Sequence, residues 1–228
     1  MATRVCWLGH ACLLVESDGK SILMDPYFTG NPVCPMKADD AKADFILVSH
    51  GHGDHVGDTI PIAKRTGATV VANYEISEWF KAQGLTKVHG QQHGGGFQHA
   101  FGRLKLTLAF HGSQLPDGSY GGNPCGLHLF LNDGTKIYNA ADTGLFGDMK
   151  LIGEEGIDLA ILPIGDNYTM GPADAVRAVK LLQPKKVLPI HYNTWPPIAQ
   201  DAEAWAKQVR KETPAEPVVL KPGEWVNV

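Results

Sequence analysis

Residues 50–55 read His50-Gly51-His52-Gly53-Asp54-His55, three imidazoles and a carboxylate within six positions, directly after the apolar run Phe45-Ile46-Leu47-Val48. Neutral imidazole nitrogens and ionised carboxylates are the donors that zinc, manganese and iron accept, so the segment reads as part of a metal site. Gly51 and Gly53 are expected to give the backbone the freedom to turn several side chains toward one point. One short loop cannot enclose a metal, and further ligands must come from elsewhere in the chain.

Three residues stand where such ligands are expected. His111 follows the alternating pattern Leu104, Leu106, Leu108 and Phe110, which reads as a half-buried strand. Asp142 follows Ile137-Tyr138-Asn139-Ala140-Ala141, and His191 follows Val187-Leu188-Pro189-Ile190. Like His50, each sits where an apolar strand ends. Strands sharing one direction deliver such residues to a single sheet edge, where α/β proteins bind their ligands.

On Asp25 in Leu23-Met24-Asp25-Pro26, the cluster at 50–55, His111-Gly112, Asp142-Thr143-Gly144 and His191-Tyr192-Asn193, in this order, the chain resembles the metallo-β-lactamase superfamily. Trp7-Leu8-Gly9-His10-Ala11 and the segment from Pro163 to Pro172 are similar to those of its small single-domain metal-dependent hydrolases, the group related to ascorbate-phosphate lactonase and to the N-acylphosphatidylethanolamine phospholipase D type. The resemblance implies a four-layer αββα sandwich of α/β class over residues 1–228. It implies one divalent ion on His50, His52 and His111, a second on Asp54, His55 and His191, and Asp142 bridging them. Asp54 and Asp142 are the carboxylates given catalytic roles, with a metal-bridging hydroxide attacking a small ester, lactone, amide or phosphodiester. Zinc is the expected metal and manganese the next choice. Asp25 is expected to orient a cluster histidine, and His10 to stand behind the ligands or touch substrate. The same ligand set also serves diiron or mononuclear-iron redox enzymes and non-catalytic metal-binding proteins, which remain the alternatives.

Strands are expected near residues 3–8, 11–16, 21–25, 44–48, 68–71, 158–162 and 186–190, within 86–140, and near Val218. Helices are expected over 58–66, around Ile76, Trp79 and Phe80, and over 145–152, 172–182 and 201–211. The segments 27–34 and 119–126, which share Gly-Asn-Pro, and 192–197 are expected to rim the site, with Asn193 and Thr194 touching substrate and Asp166 and Asn167 as further polar candidates. His89, His93 and His99 are expected to face solvent, and His128, between Leu127 and Leu129, to have an outward or hydrogen-bonded structural place. Cys34 and Cys125 are open candidates for the pocket wall.

A formal charge of −4 with no dense basic run argues against nucleic-acid binding, so the expected partner is a small molecule. No apolar run is long enough for membrane insertion, and no secretory leader pattern opens the sequence. With four cysteines showing no paired spacing, these features point to a cytoplasmic protein with reduced thiols.

Overall fold

The run at 45–48 is apolar at every position because it is buried on both faces. In the computed structural model, which describes residues 2–228, it forms the strand β4 (Phe45–Leu47) and its exit. Around it lie β1 (Arg4–Trp7), β2 (Leu13–Ser17), β3 (Lys20–Met24), β5 (Thr69–Asn73), β6 (Val88–Gln91) and the C-terminal β14 (Trp225–Asn227), in the order β14-β1-β2-β3-β4-β5-β6. A second sheet contains β7 (Gly96–His99), β8 (Gly102–Leu108), β9 (Cys125–Leu131), β10 (Lys136–Asn139), β11 (Leu159–Pro163), β12 (Lys186–Ile190) and β13 (Glu216–Pro217), ordered β13-β12-β11-β10-β9-β8-β7. Both sheets are mixed.

Alternation sorts the first sheet's side chains into two cores. Val5, Trp7, Leu13, Val15, Ile22, Met24, Leu47 and Val71 pack with Leu104, Leu106, Leu127 and Leu129 of the second sheet. Cys6, Leu8, Leu23, Ile46, Val48, Val70 and Ala72 instead meet Ile62 of α2 (Thr59–Thr66) and Ile76 and Phe80 of α3 (Tyr74–Ala82). The period of two along each strand thus feeds two layers at once. Val176, Val179 and Leu182 of α5 (Pro172–Leu182) and Trp205 and Val209 of α6 (Ala202–Glu212) belong to the cluster that contains the second sheet's apolar residues. Two mixed sheets flanked by helices make the αββα sandwich. Among the described residues no helix is long and apolar enough to cross a membrane.

Strand direction decides where chemistry can gather. β1 and β3 are both antiparallel to β2, and β3, β4 and β5 are mutually parallel, so β1, β3 and β4 end on the same edge. β8 and β10 are both antiparallel to β9, and β10, β11 and β12 are parallel.

The structure revises three element expectations. The motif at 50–55 contains a one-turn helix, α1 (Gly53–Val56). α4 (Met149–Gly153) starts later than expected. The end of the chain adds β14 beside β1, three residues too short to leave a periodic signature.

The glycine roles also shift. Neither Gly51 nor Gly53 has positive φ. Gly51 is needed because a β-carbon there would lie 2.8 Å from the Ser113 carbonyl oxygen, while Gly53 faces open space. Gly57, at φ 43°, closes the motif, and a β-carbon on it would meet the Pro26 carbonyl oxygen at 2.3 Å. Left-handed strain and backbone collision together predict that Gly57→Ala costs roughly 2 kcal/mol or more. Gly53→Ala, in the first turn of a helix, is expected to be neutral within about 0.5 kcal/mol. Denaturant titration of the two variants checks the contrast, and equal stabilities would contradict it.

Candidate metal centre

Six strand ends meet at one edge. β1 leads to His10, β3 to Asp25, β4 to His50, β8 to His111, β10 to Asp142 and β12 to His191. The exits are abrupt. His10, Asp25, Ala141, Asp166, Asn167, His191 and Asn193 all have φ between 45° and 61°, a left-handed conformation that residues with a β-carbon adopt at a cost. Each follows a strand within a few residues, and the sharp turn places its own or its neighbour's side chain at the sheet edge. Strain of this kind concentrates at functional sites.

The centre of the cluster is one oxygen. Asp142 Oδ2 lies 3.0 Å from His191 Nε2, 3.4 Å from His55 Nε2, 3.4 Å from His111 Nε2 and 4.0 Å from His50 Nε2. Three overlapping sets of donor atoms gather at this edge: His50, His52 and His111; His50, His55 and Asp142; and His10, Asp54, His55 and His191. Within each set the atoms lie within 4.8 Å of one another. Every residue expected as a ligand is therefore in the cluster.

Behind the donors, hydrogen bonds fix which nitrogen faces inward. Ser49 donates to the Asp25 carboxylate from its backbone N–H at 2.8 Å and its hydroxyl at 2.6 Å. His50 Nδ1 lies 3.0 Å from that hydroxyl, whose proton is already committed, so His50 donates from Nδ1 and turns an Nε2 lone pair to the centre. His55 Nδ1 reaches Asp25 Oδ2 at 2.8 Å with the same result. One buried carboxylate thus orients two cluster histidines.

A parallel arrangement holds Asp54. His10 is fully buried, and burial lowers its pKa to about 4 despite the hydrogen bond to Asp54, so the ring is neutral. Its Nε2 donates to Asp54 Oδ2 at 3.0 Å, while Nδ1 accepts from the Thr194 hydroxyl at 2.8 Å. The His10 carbonyl accepts the His191 N–H at 3.0 Å and Trp7 Nε1 at 2.9 Å. His10 thus stands behind the donors and braces both Asp54 and His191.

The electrostatics suit a cation. Burial holds His50, His52 and His111 below the ordinary histidine pKa, and His50 Nε2 and His52 Nδ1 face each other at 3.0 Å. Burial alone raises the pKa of Asp142 and Asp54, yet surrounding imidazoles, His55 foremost, hold both below the ordinary carboxylate value. His55 is also desolvated, but Asp142, Asp25 and Asp54 together raise its pKa well above normal. Three carboxylates around this one imidazole call for positive charge, which an ion held there would supply. His55 Nε2 and Asp142 Oδ1 are buried with no hydrogen-bond partner, which is how donors prepared for an ion present themselves. The residues fit a metal.

Above the donors lies a cavity of about 540 Å³, lined by His52, Gly53, Asp54, His111, Asp142 and His191 together with Tyr168 and Trp195. Trp195 packs against His10 at 4.8 Å between ring centroids, with Tyr27 beyond it at 6.3 Å. A cleft of equal volume beside Arg4, Glu16 and the turn at Asp18-Gly19 holds no donor cluster among the described residues.

Several expectations are corrected here. Asn193 does not face the donors: its Oδ1 accepts the Gln200 N–H at 2.7 Å, and it lines a separate cleft with Trp7 and Tyr192. Thr194 is buried, and its hydroxyl is used on His10. Residues 119–126 do not line the cavity; they buttress the motif from behind, where Ser113 accepts from Gly51 N–H and donates to the Gly121 carbonyl. Asp166 and Asn167 form a left-handed turn closed by the Asn167 N–H on Asp166 Oδ1, and it is Tyr168, just beyond, that reaches the cavity. His99 is buried against Gln91 Oε1 at 3.0 Å, and His93 meets the Pro124 carbonyl at 2.8 Å. His128 is buried with neither nitrogen hydrogen-bonded, its ring on Phe130. Cys125 lies beneath the Ser49 carbonyl and Cys34 beside that of Met36; neither lines the cavity.

Comparison with known proteins agrees with this fold. Residues 4–191 match the model of the β-lactamase superfamily domain. A UPF0173 metal-dependent hydrolase of Desulforamulus reducens is 47% identical over 232 residues, covering 99% of this chain and 100% of that protein. Another from Thermus thermophilus is 50% identical over 222 residues, covering 97% of each. Among solved structures, Igni18, a metallo hydrolase from the archaeon Ignicoccus hospitalis, superposes with a TM-score of 0.91 at 36% identity, covering 100% of this chain and 99% of that one.

Because Asp25 orients both His50 and His55, Asp25→Asn is expected to weaken zinc binding by about 10- to 100-fold. Competition against a chromophoric chelator measures this. Wild-type affinity in the folded variant would remove Asp25 from the account.

Proposed function

We infer the function from one premise, that the chain belongs to the metallo-β-lactamase superfamily and, within it, to the UPF0173 metal-dependent hydrolases. It is a metal-dependent hydrolase. Our reading of its centre is dinuclear: His50, His52 and His111 hold one divalent ion, Asp54, His55 and His191 the other, and Asp142 stands between them. The observation that carries this reading is Asp142 Oδ2, 3.0 to 4.0 Å from imidazole nitrogens of both proposed sets. Zinc is the first candidate metal and manganese the second, since nitrogen and oxygen donors accept either.

When bound, such ions supply Lewis acidity, activating water near neutral pH and polarising the oxygen of the group attacked. The chain's own residues do the rest. His10 fixes the Asp54 carboxylate, and His55 and His10 keep it ionised, so Asp54 is suited to accept a hydrogen bond from the attacking water and orient it. Asp25, through Ser49 and directly, holds His50 and His55 in the tautomer that offers Nε2. Tyr168 and Trp195 wall the space in which a small ester, lactone, amide or phosphodiester is held. Four free cysteines support a reducing, cytoplasmic setting.

The test is a hydrolysis screen across lactone, ester, thioester, amide and phosphodiester substrates, on protein stripped with chelator and reloaded with zinc or manganese. Activity is expected to vanish on stripping and to return on reloading. Asp142→Ala should lower kcat/KM by at least about 10³-fold and reduce metal content. His128→Ala, on the opposite face of β9 from Leu127 and Leu129, should leave the activity of the folded protein within about threefold of wild type. Near wild-type turnover in the Asp142 variant would refute the assignment.

A further inference from the structure

The cavity over the donor cluster has no lysine or arginine among its lining residues; beyond the donors and Gly53 it presents two aromatic rings. We propose that this site selects an uncharged carboxylic acid derivative, an ester, lactone or amide with a flat ring beside the scissile carbonyl, in preference to a phosphodiester. The inference rests on the metal-centre reading above and narrows it.

Charge carries the first half of the argument. A phosphodiester arrives as an anion and spreads further charge over its oxygens as it reacts, charge that arginine or lysine clamps help to answer where a site places them beside its metals. Here the ions would have to do so alone, and much of their charge is already matched. Asp25, Asp54 and Asp142 bring three carboxylates to the cluster, and an imidazole that ligates a metal does so as the neutral ring, adding no positive charge. Two divalent ions leave a single positive charge in surplus, and a single ion leaves a deficit. A neutral carbonyl needs no net charge to bind, only polarisation of its oxygen as the carbon is attacked. In its hydrolysis the water oxygen bonds to the acyl carbon, the acyl C–O or C–N bond breaks, and the leaving oxygen or nitrogen departs with one proton of the water.

The walls carry the second half. Trp195 is half-buried, braced by His10 on one side and followed by Pro196 and Pro197, which form a short 3-10 turn with Ile198. Tyr168 is 56% exposed at a position that the chain takes trouble to reach. Asp166 and Asn167 both adopt left-handed backbone, and the Asp166 N–H is tied to the Met170 carbonyl while the Met170 N–H is tied to Thr143, one residue past the proposed ligand Asp142. An exposed aromatic on a strained turn anchored to the ligand loop is a poor choice for stability and a good one for stacking a flat, uncharged group.

Binding and turnover separate the possibilities when measured apart. Acetanilide, a neutral aromatic amide, and methyl phenyl phosphate, an anionic diester with the same ring, are titrated into zinc-loaded protein and followed by NMR chemical shifts. Acetanilide is expected to bind at least about tenfold more tightly. Tyr168→Ala and Trp195→Ala should each weaken it about fivefold or more at unchanged zinc content. Because Trp195 also packs against His10, Tyr168→Ala decides the matter if Trp195→Ala is unstable. Equal or tighter binding of the phosphate ester, no binding of acetanilide, or wild-type affinity in Tyr168→Ala would overturn the proposal. Zinc-loaded protein that shows the expected order of binding yet hydrolyses nothing in the substrate screen would sink the hydrolytic reading of this centre and leave its selectivity standing.

Discussion

A buried carboxylate among buried imidazoles is the interaction on which this structure turns. Asp142 is 2% exposed, and an ionised carboxylate removed from water is tolerated only where opposite charge or hydrogen-bond donors replace its hydration. The replacements come from β4, β8 and β12 through His50, His55, His111 and His191. These strands lie in two different sheets, so the charge is compensated only when both sheets have formed and faced one another. The cluster is as much a consequence of the sandwich as a passenger on it.

The chain concedes stability to build this edge. Seven residues with a β-carbon turn left-handed just after strands that end there, each at a cost on the order of 1 kcal/mol. Only two other such residues, Asp18 and Gln183, are found elsewhere among the described residues, both at ordinary turns or a helix end. Apolar packing on both faces of the first sheet supports the concession. His55 Nε2 and Asp142 Oδ1 are left without hydrogen-bond partners, and an ion held there would relieve both. Metal binding and folding stability are therefore coupled through one set of side chains.

Much of this was legible in the sequence because of where the chemistry sits. A ligand that ends an apolar strand announces itself by contrast, as His50, His111, Asp142 and His191 do, and the parallel strands that follow from alternating strand and helix signals imply a shared edge. Asp25 was readable by the same rule. Side chains whose role depends on which way a turn closes were not. Asn193 and Thr194 follow directly on His191, yet a left-handed turn at Asn193 sends its amide to Gln200 and the Thr194 hydroxyl inward to His10. Tyr168 gave no periodic signal; only its place after Asp166 and Asn167, themselves turn formers at a strand exit, pointed to the edge. Gly57 outranked the glycines inside the motif because a close backbone approach leaves no trace in sequence. His99 and His128 show the converse: polar residues in strands, buried against neighbouring aromatic rings, Phe101 and Phe130.

The central claim is that strand ends from two sheets assemble a dinuclear centre around Asp142. Anomalous diffraction from crystals of zinc-loaded protein, collected on either side of the zinc absorption edge, tests it most directly. The account predicts two peaks per chain, one held by His50, His52 and His111 and one by Asp54, His55 and His191, with the Asp142 carboxylate between them. One peak at full occupancy in excess zinc, or peaks away from these residues, would contradict it.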